Sequence, residues 1–191
     1  MKDYIVSVMA RDRVGIVRDV SSALAELGGN ITHLSQTVLR GHFTLIISVE
    51  MPDSRTESEI RQGIQRKGAI GELEVGVRAY SETHPPITGR AERFTLSMQG
   101  KDCPGIIAKT TAYLADKGIN IEDFYSYVRE GTLLMLAQVS IPLEVNAEET
   151  RIGLEKVGEE YGLTVHLQHE NIFRATSEIR SVGTLERNHT I

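Results

Sequence analysis

Six residues in this chain have the types and spacing to hold a small zwitterion. Asp12 and Gly15 lie in Arg11-Asp12-Arg13-Val14-Gly15-Ile16-Val17, and Asn30 follows in Gly28-Gly29-Asn30-Ile31. Asp102, Gly105 and Asn120 take the same places in Lys101-Asp102-Cys103-Pro104-Gly105-Ile106-Ile107 and Gly118-Ile119-Asn120-Ile121, at a constant offset of 90 residues. The first segment of each set reads as a short loop from a strand into a helix. A helix start presents unpaired N–H groups and about half a positive charge, which suits a carboxylate. Glycine at that point has no Cβ to keep a ligand from the backbone. An Asp beside it accepts hydrogen bonds from an ammonium, and an Asn both donates and accepts. A structural reading stands beside this one. Asp12 and Asp102 also suit capping of the helix they precede, and Asn30 and Asn120 are favoured turn residues after a helix-ending glycine.

Other chemistries find less support. The formal net charge of −5 argues against a clustered basic face for nucleic acid. The sequence has no G-x-x-x-x-G-K-[ST] loop, no G-x-S-x-G and no G-x-G-x-x-G, so catalysis has nothing specific to stand on and no cofactor is expected. His166 and His169 resemble a metal pair, but on a strand residues three apart point to opposite faces. His33, His42, His84 and His189 lack ligand spacing, and no metal site is expected. Cys103, the single cysteine, excludes an intrachain disulfide and fits a reducing compartment. Its place at a helix start leaves two readings, a redox-responsive thiol or a tolerated loop residue. No run approaches the ~20 apolar residues that span a bilayer. Asp3 stands where a signal peptide would begin its apolar region, so a cytoplasmic location is expected.

The elements that must position the six residues follow from periodicity. Tyr4 to Ala10 reads as a strand, and Val17, Val20, Leu24 and Leu27 then fall at helical spacing before Gly28-Gly29. Ile31 to Leu39 predicts a second strand, and Arg40-Gly41-His42 a tight turn into Phe43 to Met51. Thr56-x-x-Glu59 has capping-box form and opens a helix carrying Ile60 and Ile64. Leu73, Val75 and Val77 alternate in a last strand. Strand, helix, strand, strand, helix, strand is the ferredoxin-like arrangement of an α+β fold, an antiparallel sheet with both helices on one face.

The order repeats without net insertion. Between Tyr4–Pro52 and Phe94–Pro142, 13 of 49 aligned positions are identical, well above the roughly one in fifteen that composition would give. The 191 residues therefore divide into a unit at 1–81, a linker at 82–91 marked by Pro85-Pro86 and Gly89, a unit at 92–170, and an end segment at 171–191. In that segment Ile172, Phe173, Thr176 and Ile179 suit one face of a short helix before Gly183 and a polar tail.

The motif x-Asp-x-x-Gly-Ile, followed fifteen residues after the Gly by Asn-Ile in the next strand, within a βαββαβ unit, resembles the ACT domain, once in each half. Two such units without a catalytic domain look most like the glycine cleavage system transcriptional repressor family. Leu34 to Val38, Gly41 to Thr44 and Gln168 to Phe173 are also similar to small stand-alone ACT proteins. The resemblance implies regulation by a small ligand, commonly an amino acid, bound near the loop before the first helix and often across an interface between ACT units. The family's ligand-contacting positions fall on Asp12, Gly15 and Asn30, and on Asp102, Gly105 and Asn120. Amino-acid-binding members often carry a neutral polar residue three before the Gly; here both copies carry Asp.

The resulting expectation is a non-enzymatic regulator that senses a small amino acid and acts through protein partners, a DNA-binding regulator or an enzyme among them, without binding DNA itself. The open sheet face, with Ile46, Leu134 and Leu136, is too apolar to stay wet, which predicts a homodimer or sheet pairing. The alternatives are a ligand-free oligomerisation module and a regulatory subunit acting in trans on an amino-acid metabolic enzyme.

Overall fold

In the computed structural model, which describes residues 1–80 and 90–171, the chain divides into two compact units, Met1–Pro85 and Pro86–Ile191. The first runs β1 (Lys2–Arg11), α1 (Ile16–Glu26), β2 (Asn30–Leu39), β3 (His42–Met51), α2 (Glu57–Gln65) and β4 (Glu74–Ala79). The second repeats it as β5 (Ala91–Lys101), α3 (Ile106–Asp116), β6 (Asn120–Arg129), β7 (Thr132–Pro142), α4 (Ala147–Glu160) and β8 (Leu163–His169). Each sheet is antiparallel, in the orders β2-β3-β1-β4 and β6-β7-β5-β8. The α+β ferredoxin-like architecture expected from the pattern is the one present, twice.

Alternation builds each core. Tyr4, Val6, Val8 and Ala10 of β1 are buried, and register places them opposite Val49, Ile47, Leu45 and Phe43 of β3, also buried. Directly opposed residues share a sheet face, so these eight make one apolar surface. Ile16, Val20 and Leu24 of α1 and Ile60 and Ile64 of α2 close over it. Each fully buried Ile or Leu contributes roughly 1.5–3 kcal/mol of transfer free energy. The second unit repeats this with Leu96, Met98, Leu133, Met135, Ile106, Leu114 and Leu154.

Local signals hold the ends of these elements. Thr56 forms both halves of the capping box with Glu59, and Asn146 caps α4 by accepting from the N–H groups of Glu148 and Glu149. Arg40 and Gly41 (φ 50° and 76°) make a two-residue turn of the I′ kind between β2 and β3, and Glu130-Gly131 (φ 53° and 76°) makes its counterpart. The β2 register shifts between Ile31 and His33 and the β6 register between Ile121 and Asp123, a bulge kept in both copies.

The edge strands overhang their helices. β2 has no buried residue and β6 none, while their partners β3 and β7 alternate buried and open. On the face away from the helices Ile46 is 57% exposed, Leu136 is open and Leu134 half-buried, as the apolar open face predicted. β5 begins at Ala91, inside the expected linker; residues 82–89 of that linker and the helix expected around Ile172 to Ile179 lie outside the described residues.

Candidate functional site

The loop from β1 into α1 delivers Gly15 as N-cap with φ 96°, and the loop from β5 into α3 delivers Gly105 with φ 89°. This left-handed backbone is where glycine is required. Neither cap is made by a side chain. The structural reading of Asp12 and Asp102 as caps therefore fails: both are exposed, and neither has a side-chain hydrogen bond or ion pair among the described residues. Their backbone N–H groups instead donate to Gly41 and Gly131 at 2.9 Å, pinning each loop to the adjacent hairpin turn.

Each unit brings its Asp and Gly together and keeps its Asn away. Asn30 pairs with Glu50 in β3, while Arg11, at the loop, pairs with His42. Eight residues of strand separate those registers, about 27 Å at roughly 3.4 Å per residue. Asn120, opposite Ser140, stands equally far from Lys101, opposite Thr132. No single unit closes the expected cradle around all three residues. The two asparagines also differ, because Asn30 donates through Nδ2 to Glu50 at 3.3 Å, whereas Asn120 has no side-chain partner among the described residues.

The two helix starts are unlike each other. In the first unit Arg13 bridges Asp19 of α1 (2.9 Å) and Glu72, ahead of β4, with which it makes a close ion pair; Arg18 binds the other oxygen of Asp19 at 2.8 Å. Asp19 is only 13% exposed, and hydrogen bonds from Arg18 first and Arg13 second hold its carboxyl below the usual carboxylate range. Glu72 is held low by Arg13 first and by the Ala69 N–H second. This cluster roofs Gly15: the Arg18 guanidinium would lie 3.1 Å from a Cβ placed there.

In the second unit nothing among the described residues lies within 4 Å of a Cβ on Gly105. A cleft of about 490 Å³ opens there, lined by Asp102, Cys103 and Gly105 of the loop, Ile107 and Ala108 of α3, Ser126 and Val128 of β6, and Leu133 of β7. Val128 and Ser126 oppose Leu133 and Met135, so they stand on the helix-side face of the overhanging strand and wall the cleft. That volume lies within the range of small-molecule sites, roughly 300–1,000 Å³. Sequence reasoning missed Ser126, Val128 and Leu133, and the arginine roof over Gly15. The signal was available in the replacement of Arg13, Asp19 and Glu72 by Cys103, Lys109 and Gly162 at the offset of 90.

The sequence matches the ACT domain family over residues 2–78 and 92–168. The chain belongs to the ACT-domain family. A UPF0237 protein of Methanococcus maripaludis is 36% identical over 85 residues, 44% of this chain and 93% of that protein. Another, from Methanopyrus kandleri, is 34% identical over 88 residues, 46% of this chain and 98% of that protein. Such relatives have the length of one ACT unit. Among solved structures, an unknown protein from Galdieria sulphuraria superposes with a TM-score of 0.74 at 27% identity, covering 88% of this chain and 98% of that one. A putative glycine cleavage system transcriptional repressor superposes with a TM-score of 0.67 over 88% of this chain and 96% of its own, and at 14% identity that likeness is one of fold. The tandem ACT arrangement and the likeness to small stand-alone ACT proteins are thereby shown, the likeness to the repressor holds at the level of fold, and ACT membership indicates a regulatory, amino-acid-sensing role.

His169 packs edge-on against Phe94 with ring centroids 5.1 Å apart. No group of three or more His, Cys, Asp or Glu is placed to hold a metal among the described residues, and no helix there is long and apolar enough to cross a membrane.

Proposed function

We propose that this protein is a non-enzymatic ACT regulator whose second unit binds a small amino acid at the Asp102–Gly105 loop. The observation that carries the reading is the open, glycine-started cleft beside an Asp without a side-chain partner among the described residues. The unpaired N–H groups of the first α3 turn suit the ligand carboxylate, and Asp102 at the rim suits its ammonium. Asp12 and Gly15 offer the same chemistry in the first unit, but beneath the Arg13–Arg18 roof. Asn30 and Asn120 lie too far along their strands to reach such a ligand within their own unit, and would meet one where a second copy of the chain supplies them. Isothermal titration calorimetry against glycine, serine and the branched-chain amino acids tests the reading: saturable heat with at least one supports it, and none with any refutes it.

The signal passes through protein contacts in the cytoplasm. β2 and β6 are long edge strands without proline, and Tyr125 and Tyr127 on β6 are 62% and 58% exposed. Such edges are natural pairing surfaces, which supports a homodimer. If the output is transcription, including control of glycine metabolism as in the repressor it resembles in fold, the net charge of −5 favours a DNA-binding partner over DNA itself. A gel shift of the pure protein at physiological salt would show no sequence-specific complex. The exposed edges also favour a second reading, an assembly module without ligand; a stable dimer that ignores every amino acid would select it.

A further inference from the structure

The two ACT units have diverged around their first helices in one direction. Arg13, Arg18 and Gln36 of the first unit stand where the second has Cys103, Ala108 and Ser126, and each change shortens the side chain. All three shortened residues line the cleft. The carboxylates that hold the arginines are gone as well, since Asp19 and Glu72 correspond to Lys109 and Gly162. The cleft is therefore the volume that three long polar side chains would fill. What it exposes instead is aliphatic: Ile107 and Val128, 41% and 50% exposed, with buried Leu133, paired opposite Val128, in the lining beneath. Asp102 is the one charged side chain in the lining, at the loop.

We propose that this cleft selects a branched aliphatic amino acid, its apolar side chain set against Ile107, Val128 and Leu133, and that the chain binds one such ligand, in the second unit only. The inference rests on the amino-acid-binding reading above and adds the side-chain class and the stoichiometry. An aliphatic side chain removes its own surface and the cleft walls from water together. A charged or amide side chain in the same place would lose its hydration and find only the Ser126 hydroxyl in return. Glycine leaves the walls wet and gains nothing from them. The first unit has no room for the same ligand, because the Arg13 and Arg18 guanidiniums, fixed by Asp19 and Glu72, occupy the space above Gly15.

The experiment is titration calorimetry of the full chain with leucine, isoleucine, valine, alanine, glycine and serine, on the native protein and on Ala108→Arg, Val128→Asp and Arg18→Ala. All three substitutions are at exposed positions, and circular dichroism checks that each variant folds. Leucine or isoleucine binds with one site per chain, at least about tenfold tighter than alanine, the lower end of what an added methylene gives in an apolar pocket. Ala108→Arg, which restores the residue of the first unit, abolishes binding; Val128→Asp weakens it at least tenfold; Arg18→Ala leaves the affinity of the second unit unchanged and adds no site, because the Arg13 guanidinium still lies over Gly15. Glycine or serine binding as tightly as leucine overturns the side-chain assignment while leaving the amino-acid reading intact. Two sites per chain, or full binding by Ala108→Arg, overturns the location. No heat with any amino acid overturns both this inference and the reading beneath it.

Discussion

Alanine at Gly105 and at Gly15 separates a structural glycine from one that a ligand approaches. Both residues hold left-handed backbone, at φ 89° and 96°, so an L side chain costs roughly 1–2 kcal/mol at either. At Gly105 the new Cβ meets nothing within 4 Å among the described residues, and the strain is the whole cost; at Gly15 it meets the Arg18 guanidinium at 3.1 Å, a contact that needs to give by only a few tenths of an ångström while Asp19 keeps its hold. A unit of this size loses about 4–8 °C in Tm per kcal/mol, so each variant should drop by about 4–16 °C in the transition of its own unit. The ligand response distinguishes them. A ligand at about 100 times its Kd stabilises the native protein by about 2.7 kcal/mol. If the Gly105 methyl removes one charge-assisted backbone hydrogen bond, worth about 1.5–3 kcal/mol, affinity falls roughly tenfold to a hundredfold. At the same ligand concentration the stabilisation then shrinks to about 0.4–1.4 kcal/mol. Gly15→Ala should keep all of it. Differential scanning calorimetry with and without leucine reads both quantities in one series. A full ligand response in Gly105→Ala together with a lost one in Gly15→Ala would refute the assignment to the second unit.

Two further predictions concern the frame and the roof. Thr56→Ala removes the side-chain half of the α2 capping box, the Oγ1 that accepts from the Glu59 N–H, and should lower stability by about 1 kcal/mol in urea unfolding with an unchanged m value, because the cap lies outside the core. The Arg13–Asp19–Glu72 cluster predicts a pH dependence of the first unit. Asp19 and Glu72 have carboxyls lowered in the folded state, so their contribution is present above the ordinary carboxylate range and is lost as pH falls through the lowered values. Acid unfolding of Arg13→Ala should therefore begin at higher pH than that of the native protein, and identical acid profiles would show that the cluster contributes nothing.

Much of the fold was legible because local and long-range signals agree in it. The alternation of Phe43, Leu45, Ile47 and Val49 determined a strand face, Arg40-Gly41 and Glu130-Gly131 marked the hairpins, and Thr56-x-x-Glu59 marked a helix start. The doubled register then made one unit evidence for the other. The site was legible only in part. Asp and Gly are neighbours along the loop, so sequence proximity carried into space. Asn30 and Asn120 are not, because α1 and α3 run back along the sheet and return the chain to its far end before the next strand begins. The cleft walls were hidden for a related reason. Ser126, Val128 and Leu133 reach the loop through strand pairing, which a linear motif does not record, although the loss of Arg13 and Arg18 in the second copy was visible throughout.

Backbone amide shift mapping by NMR during a leucine titration tests the central claim most directly, since it reports where on the full chain a ligand acts. The account predicts the largest shifts at Asp102 to Ala108 and at Ser126 to Leu133, with Asp12 to Asp19 unmoved. Shifts centred on Gly15, or none anywhere with leucine or any other amino acid, would contradict it.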